Sequence, residues 1–256
     1  MRYIAGLLAA TLILSLALPG SLLADNPNPK KYGIEFQFGG GYNLMQDLND
    51  YVPNTANASF AGYTPTNEVN LDAQFGMALV YRHMEDFGWQ FGYNRFLFAN
   101  NFRIENSQGS WAEQSVVGSE LSILATWFKP LDAGELFLGV GPGFYFATMD
   151  RSVSIYQSGS SIPTSEGTFE DAKGQAMGLI GLVGFEMMLK SNLGLTFQLG
   201  GRSAVIGQMK YIDENGNEQI VYQGGTKLPV DFTGGFGKIT LRAYFAPSSD
   251  WRTPKR

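Results

Sequence analysis

Eight segments of this chain alternate apolar and polar side chains at period two, and the connections between them alternate long and short. The segments are residues 33–44, 69–82, 88–98, 115–128, 135–147, 173–189, 193–206 and 231–245, each 11 to 17 residues long. Period-two alternation is the pattern of a β-strand whose two faces meet different surroundings. In 33–44, Ile34, Phe36, Phe38, Tyr42 and Leu44 share one face, and Glu35, Gln37, Gly39, Gly41 and Asn43 the other. In 135–147, Leu136, Leu138, Val140, Phe144 and Phe146 oppose Phe137, Gly139, Gly141, Gly143 and Tyr145. The connections run 24, 5, 16, 6, 25, 3 and 24 residues in order. Every long one therefore lies at one end of the strand set and every short one at the other.

A compact soluble domain rarely carries structureless loops beyond ~12–15 residues. Transmembrane β-barrels combine short turns at one end with long loops at the other. Their strands need roughly 9–11 residues to span a bilayer, and all eight segments reach that. An even strand number returns both termini to one side, expected to be the periplasm. Eight strands enclose an interior just wide enough for side chains to fill, which suits a chain with 32 glycines in 256 residues. The alternative, a soluble barrel with its apolar faces inward, would put the Gly/Gln/Asn faces in water. Those faces carry far less charge than the ~25–35% usual on soluble surfaces. The pattern predicts an all-β fold, an eight-stranded antiparallel up-and-down transmembrane β-barrel.

Residues 1–24 read as a secretory signal: Arg2, a charge-free run over 4–18, the helix breakers Pro19 and Gly20, and a cut expected between Ala24 and Asp25. An uncleaved N-terminal anchor is the alternative. Residues 25–32, with Pro27, Pro29, Lys30 and Lys31, form a polar periplasmic lead-in, 33–245 the barrel, and 246–256 a short periplasmic tail.

Composition removes much chemistry. With no Cys and one His, His83, neither a thiol nor a two-imidazole site can be built. A net charge of −5 offers no basic stripe for nucleic acid. Gly139, Gly141 and Gly143 lie inside a strand, without the helix a phosphate loop requires. The carboxylates Asp47 and Asp50, and Glu166, Glu170 and Asp171, read as solvated loop acids without calcium-loop spacing. No cofactor or metal is expected.

Two aromatic belts are expected at the bilayer interfaces. Tyr81, Trp89, Trp127, Phe128 and Phe245 fall at the short-turn end, and Tyr42, Phe96, Phe98, Phe144 and Phe146 at the long-loop end. Parity sends eight charges into the lumen in two layers. Glu35, Arg82, Glu186 and Arg242 lie near the short turns, with Glu35 expected beside both Arg82 and Arg242. Asp72, Glu120, Lys238 and Arg202 lie higher. Each layer is formally neutral, and cross-lumen pairing is expected to plug the barrel; unpaired charges lining a hydrated pore are the alternative. Arg95 shares a face with Trp89, Phe91, Tyr93 and Leu97, so either it snorkels to lipopolysaccharide phosphates or a bulge flips the parity there. Residues 214–217 (Glu-Asn-Gly-Asn) form a turn signal, expected to extend strands seven and eight as a hairpin.

The strand–loop order over 33–245 resembles the small eight-stranded outer-membrane proteins of the OmpA, OmpX and OmpW type. The segment 137–146 (FLGVGPGFYF) is similar to the glycine–aromatic strands of that superfamily. The last strand, with Ile239, Leu241, Ala243 and Phe245 alternating, resembles its terminal sorting signal. The resemblance implies insertion by the barrel-assembly machinery of a Gram-negative cell and contact with outer-membrane lipid and lipopolysaccharide. It implies a non-enzymatic barrel whose loops serve envelope integrity or bind an external partner, or alternatively a narrow passive channel for small or apolar solutes. Enzymatic barrels of this kind place a histidine near the long-loop rim, whereas His83 falls at a short turn.

Overall fold

Each of the eight periodic segments forms a strand that pairs antiparallel with the strands before and after it. The computed structural model describes Lys30 and residues 32–50, 68–105, 109–156, 164–165, 168–190, 192–223 and 226–245. The wall strands are β1 (Tyr32–Asn43), β2 (Leu71–Arg82), β3 (Phe87–Phe98), β4 (Trp111–Leu131), β5 (Gly134–Ile155), β6 (Phe169–Lys190), β7 (Leu193–Ser203) and β8 (Gly234–Tyr244). The last pairs with the first, from Gly33↔Tyr244 to Asn43↔Gly234, so the sheet closes without a free edge. The expected signal segment, residues 25–29 of the lead-in, Lys31 and the tail 246–256 lie outside the described residues.

Burial runs opposite to that of a soluble protein. On the outer face Phe38 is 63% exposed, Met177 68% and Leu179 66%, while Glu35, Glu186 and Arg242 inside are 0% exposed. A belt of exposed aliphatic and aromatic side chains around a closed barrel is what hydrocarbon requires. Near the short turns Trp89 and Trp127 flank Phe87, with ring centroids 5.6 and 5.5 Å away, and Tyr32 stacks on Tyr81 at 5.3 Å. Tyr42, Phe144 and Phe146 face outward at the other end. Phe96, Phe98 and Phe128, expected in the belts, instead point inward. They share parity with Gln90, Asn94 and Thr126 on their own strands, and strand parity overrides closeness to an interface.

Strands β4, β5 and β6 are 21, 22 and 22 residues long, well beyond the expected 14, 13 and 17. Above the bilayer the alternation inverts. Glu113, Ser115, Thr148, Asp150 and Lys173 turn outward, and Ala112, Val116, Met149, Val153, Phe169 and Ala172 are buried inside. Glu170 and Asp171 therefore belong to β6 and not to a loop, and Glu166 lies outside the described residues. Asp47 sits on a one-turn helix, α1 (Gln46–Asn49), with Asp50 at its end.

The long connections carry structure of their own. Phe102–Glu105 adds to β4. Val205–Ile206 pairs with Val230–Asp231 beyond a break at Ala204, where strand seven was expected to continue. Lys210–Ile212 and Glu218–Ile220 form a hairpin of their own, bridged to β6 at Lys210↔Lys173, instead of extending β7 and β8.

A closed ladder resists detergent, so the native protein is expected to migrate differently in SDS gels before and after boiling, and to need detergent for extraction from membranes. Recovery in the aqueous fraction without detergent would contradict the inside-out packing.

Candidate functional site in the lumen

The inner face is densest in charge near the short turns. Arg242, wholly buried, donates from Nε to Glu35 Oε1 at 2.6 Å and from Nη1 to Glu186 Oε2 at 3.0 Å. Register explains the first contact, because Glu35 and Arg242 are direct partners across the β1–β8 seam. Tyr244, two residues on, donates its hydroxyl to Glu186 at 2.8 Å. Glu35 Oε2 also accepts from Gln37 and Gln90 at 2.8 Å each.

Arg82 does not reach Glu35. On β2 the partner of Glu35 is Ala78, which puts Arg82 four residues nearer the turn. Arg82 forms a bidentate pair with Glu135 of β5 at 2.7 and 2.8 Å. Its guanidinium lies 4.0 Å from the Phe128 ring centre, and that ring packs on Phe137 at 5.9 Å. Glu135 shares the inward parity of Phe137, so its place was readable from the strand pattern.

Lys30 is the member that no periodicity marked. It precedes β1, yet its Nζ lies 3.2 Å from Glu186 Oε2 and 3.6 Å from Glu135 Oε2, linking the two ion-pair groups. Glycine makes room in the wall: a Cβ at Gly194 would fall 2.2 Å from Glu186 Oε1, and one at Gly184 would fall 2.2 Å from the Phe137 ring.

Higher in the lumen only one of the two expected pairs is in contact. Arg202 Nη2 donates to Asp72 Oδ2 at 2.8 Å and to Asn43 Oδ1 at 2.6 Å, and its Nε donates to the Phe232 carbonyl at 3.1 Å. Glu120 accepts from Asn94 at 3.0 Å. Lys238 donates to Gln37 Oε1 at 3.4 Å and lies 4.7 Å from the Phe236 ring centre. Neither Glu120 nor Lys238 joins an ion pair among the described residues. Gln198 and Thr240 line this middle section with buried polar atoms that no protein group satisfies, as do Thr126 and Thr196 nearer the short turns.

Above Arg202 the lumen turns apolar. Phe232 stacks on Tyr145 at 5.9 Å and packs on Phe96 and Phe98 at 5.7 and 6.2 Å. Ile206, Met209, Val221, Leu228 and Val230, all from the connection between β7 and β8, are buried over it. Three backbone bonds fold that connection inward, from Phe232 N to Ala204 O, Val221 N to Met209 O and Leu228 N to Val221 O, at 2.8, 2.9 and 3.1 Å. The alternation of the eight strands gives no sign of this packing, because it lies in a connection between them.

Outside, register runs unshifted from β2 through β4, so no bulge flips Arg95. It faces outward and donates to Ser119 Oγ at 2.9 Å. Ile239, Leu241 and Phe245 project from the wall, 54%, 43% and 63% exposed, with Ala243 half-buried between them. His83 is exposed at the turn between β2 and β3.

Removing one partner of a buried pair typically costs ~3–5 kcal/mol, because the other charge stays behind. Arg242→Ala strands Glu35 and Glu186 together, and is expected to lower the heat-modified gel transition markedly. An unchanged transition would show that these contacts do not hold the short-turn end of the barrel together.

No family model matches the chain, and no curated protein matches it. Among solved structures it is similar to the outer membrane protein OprG from Pseudomonas aeruginosa. That match has 14% identity over 86% of this chain and 98% of that one, with a TM-score of 0.52. Neisserial surface protein A matches at 13% identity over 86% and 100% of the two chains, TM-score 0.37. The outer membrane protease OmpT from Escherichia coli matches at 10% over 88% and 100%, TM-score 0.43. Closed register, outward apolar belt and polar interior agree with the OprG likeness: the chain has the fold of the small eight-stranded outer-membrane β-barrels.

Proposed function

We propose that the protein is a closed, non-enzymatic barrel of the Gram-negative outer membrane that holds its long connections outside the cell, for envelope integrity or for binding an external partner. The observation that supports this reading is that both ends of the lumen are filled by packed side chains. Ion pairs occupy the short-turn mouth, and Arg202–Asp72 with the Phe232 cluster occupies the other end. Acids that an enzyme would use are engaged by guanidinium, amide and hydroxyl groups of the wall, which supports a structural role for them. Both termini then lie in the periplasm, and Ile239, Leu241, Ala243 and Phe245 serve as the signal read during insertion. Arg95, a cation on the lipid-facing wall, is met by a lipopolysaccharide phosphate, since a lipid-facing cation costs ~2–4 kcal/mol at mid-bilayer.

The hairpin Lys210–Ile212/Glu218–Ile220 is the most regular surface this arrangement would present. Asp213 closes its tip, accepting from the Asn217 and Asn215 backbone N–H groups at 2.8 and 2.9 Å and from the Gln219 amide at 3.0 Å. Those bonds, the Asn217 N–H first, hold the Asp213 carboxyl below its usual range. A depressed carboxyl stabilises the turn at neutral pH and loses that contribution only as pH falls through its folded value.

The runner-up, a narrow passive channel, is distinguished directly. Purified wild-type protein in planar bilayers is expected to give no steady single-channel current, whereas sustained conductance would favour the channel. An epitope inserted at Asn217 is expected to label on intact cells. Labelling only after permeabilisation would invert the orientation.

A further inference from the structure

We propose that the short-turn mouth of the lumen is a binding site for a primary ammonium group, occupied by the chain's own Lys30. The barrel wall places three carboxylates there, Glu35, Glu135 and Glu186, against two guanidiniums, Arg82 and Arg242, and all five side chains are buried. Arg82 takes both oxygens of Glu135, and Arg242 is divided between Glu35 and Glu186. The wall by itself therefore holds one uncompensated negative charge in a buried pocket, which is costly.

Lys30, just before β1, supplies the missing cation. Its Nζ lies between Glu186 and Glu135 at 3.2 and 3.6 Å, and 5.1 Å from the centre of the Tyr244 ring. Two carboxylate oxygens on one side and an aromatic face on the other are the chemistry that recognises an alkylammonium. A hard divalent cation wants six or more oxygens, and the oxygens here are already shared with guanidiniums. The site goes beyond a closed barrel: its carboxylates belong to the wall strands, while its ammonium comes from Lys30, just before β1. An ammonium from another molecule, such as a polyamine or a lysine of a partner protein, competes with Lys30 for the same oxygens.

The test uses the full chain folded in detergent and reads the heat-modified gel transition, which does not depend on whether the barrel conducts. Lys30→Ala is expected to lower the transition by roughly 5–10 °C, as loss of a buried pair does in a domain of this size. Ethylammonium chloride should restore it. Sodium chloride and tetramethylammonium chloride at equal ionic strength should not, since neither offers an N–H donor. Adding Glu186→Gln to Lys30→Ala leaves Glu35–Arg242 and Glu135–Arg82 in balance, so the double variant should regain part of the loss and stop responding to ethylammonium. A wild-type transition in Lys30→Ala, equal rescue by sodium chloride, or an ethylammonium response that survives in the double variant would each overturn the site.

Discussion

A peptide group left without a partner in hydrocarbon costs several kcal/mol, and water is not there to help. Eight antiparallel strands closed by the β1–β8 seam answer that constraint, and the rest follows from it. The surrounding hydrocarbon draws the apolar face outward, so residues such as Glu35, Glu186 and Arg242 have only the lumen to occupy. An eight-stranded lumen is narrow, so its occupants touch. Large inner side chains need glycine beside them: Gly184 stands opposite Phe137, and Gly194 lies diagonally beside Glu186. Charges in so tight a space survive by meeting each other.

Parity made the bilayer-spanning part of this legible. Once Phe36 and Phe38 face lipid, Glu35 and Gln37 must face in, and the same step places Asp72, Glu120, Arg202, Lys238 and Arg242 without any knowledge of contacts. Partners are another matter. Which carboxylate meets Arg82 depends on the stagger between strands, and Ala78, not Arg82, stands opposite Glu35. Period two says which face a residue takes and nothing about how far its strand has slid. Lys30 escaped for a different reason: it comes before β1 begins at Tyr32, ahead of the alternation that could be read.

In the upper third the alternation changes sign, so the strands run beyond the ends that their lipid-facing pattern predicts. Outward apolar residues mark a strand only where lipid is outside, and above the bilayer water takes its place. There Asp150 and Glu113 turn outward while Met149 and Val153 turn in, so a strand read by its lipid face ends too early although its hydrogen bonds continue. The projecting walls of β4, β5 and β6 are thus ordinary amphipathic sheet, with a small apolar core that the chain fills from its own connections.

The two seals differ in kind, and that difference sets what each responds to. Below, closure is a matter of charge count, with three acids against two guanidiniums and one lysine. It therefore depends on an ionic group and can be unbalanced by one. Above, Phe232, Ile206, Met209 and Val230 pack over the Arg202–Asp72 pair by removing apolar surface from water, a largely non-directional interaction. The segment that makes the upper seal also carries the hairpin tipped by Asp213. Met209 and Val221, joined by a backbone hydrogen bond of 2.9 Å, place that hairpin beside the packing over Phe232, while at the other end Lys30, just before β1, sits among the ion pairs.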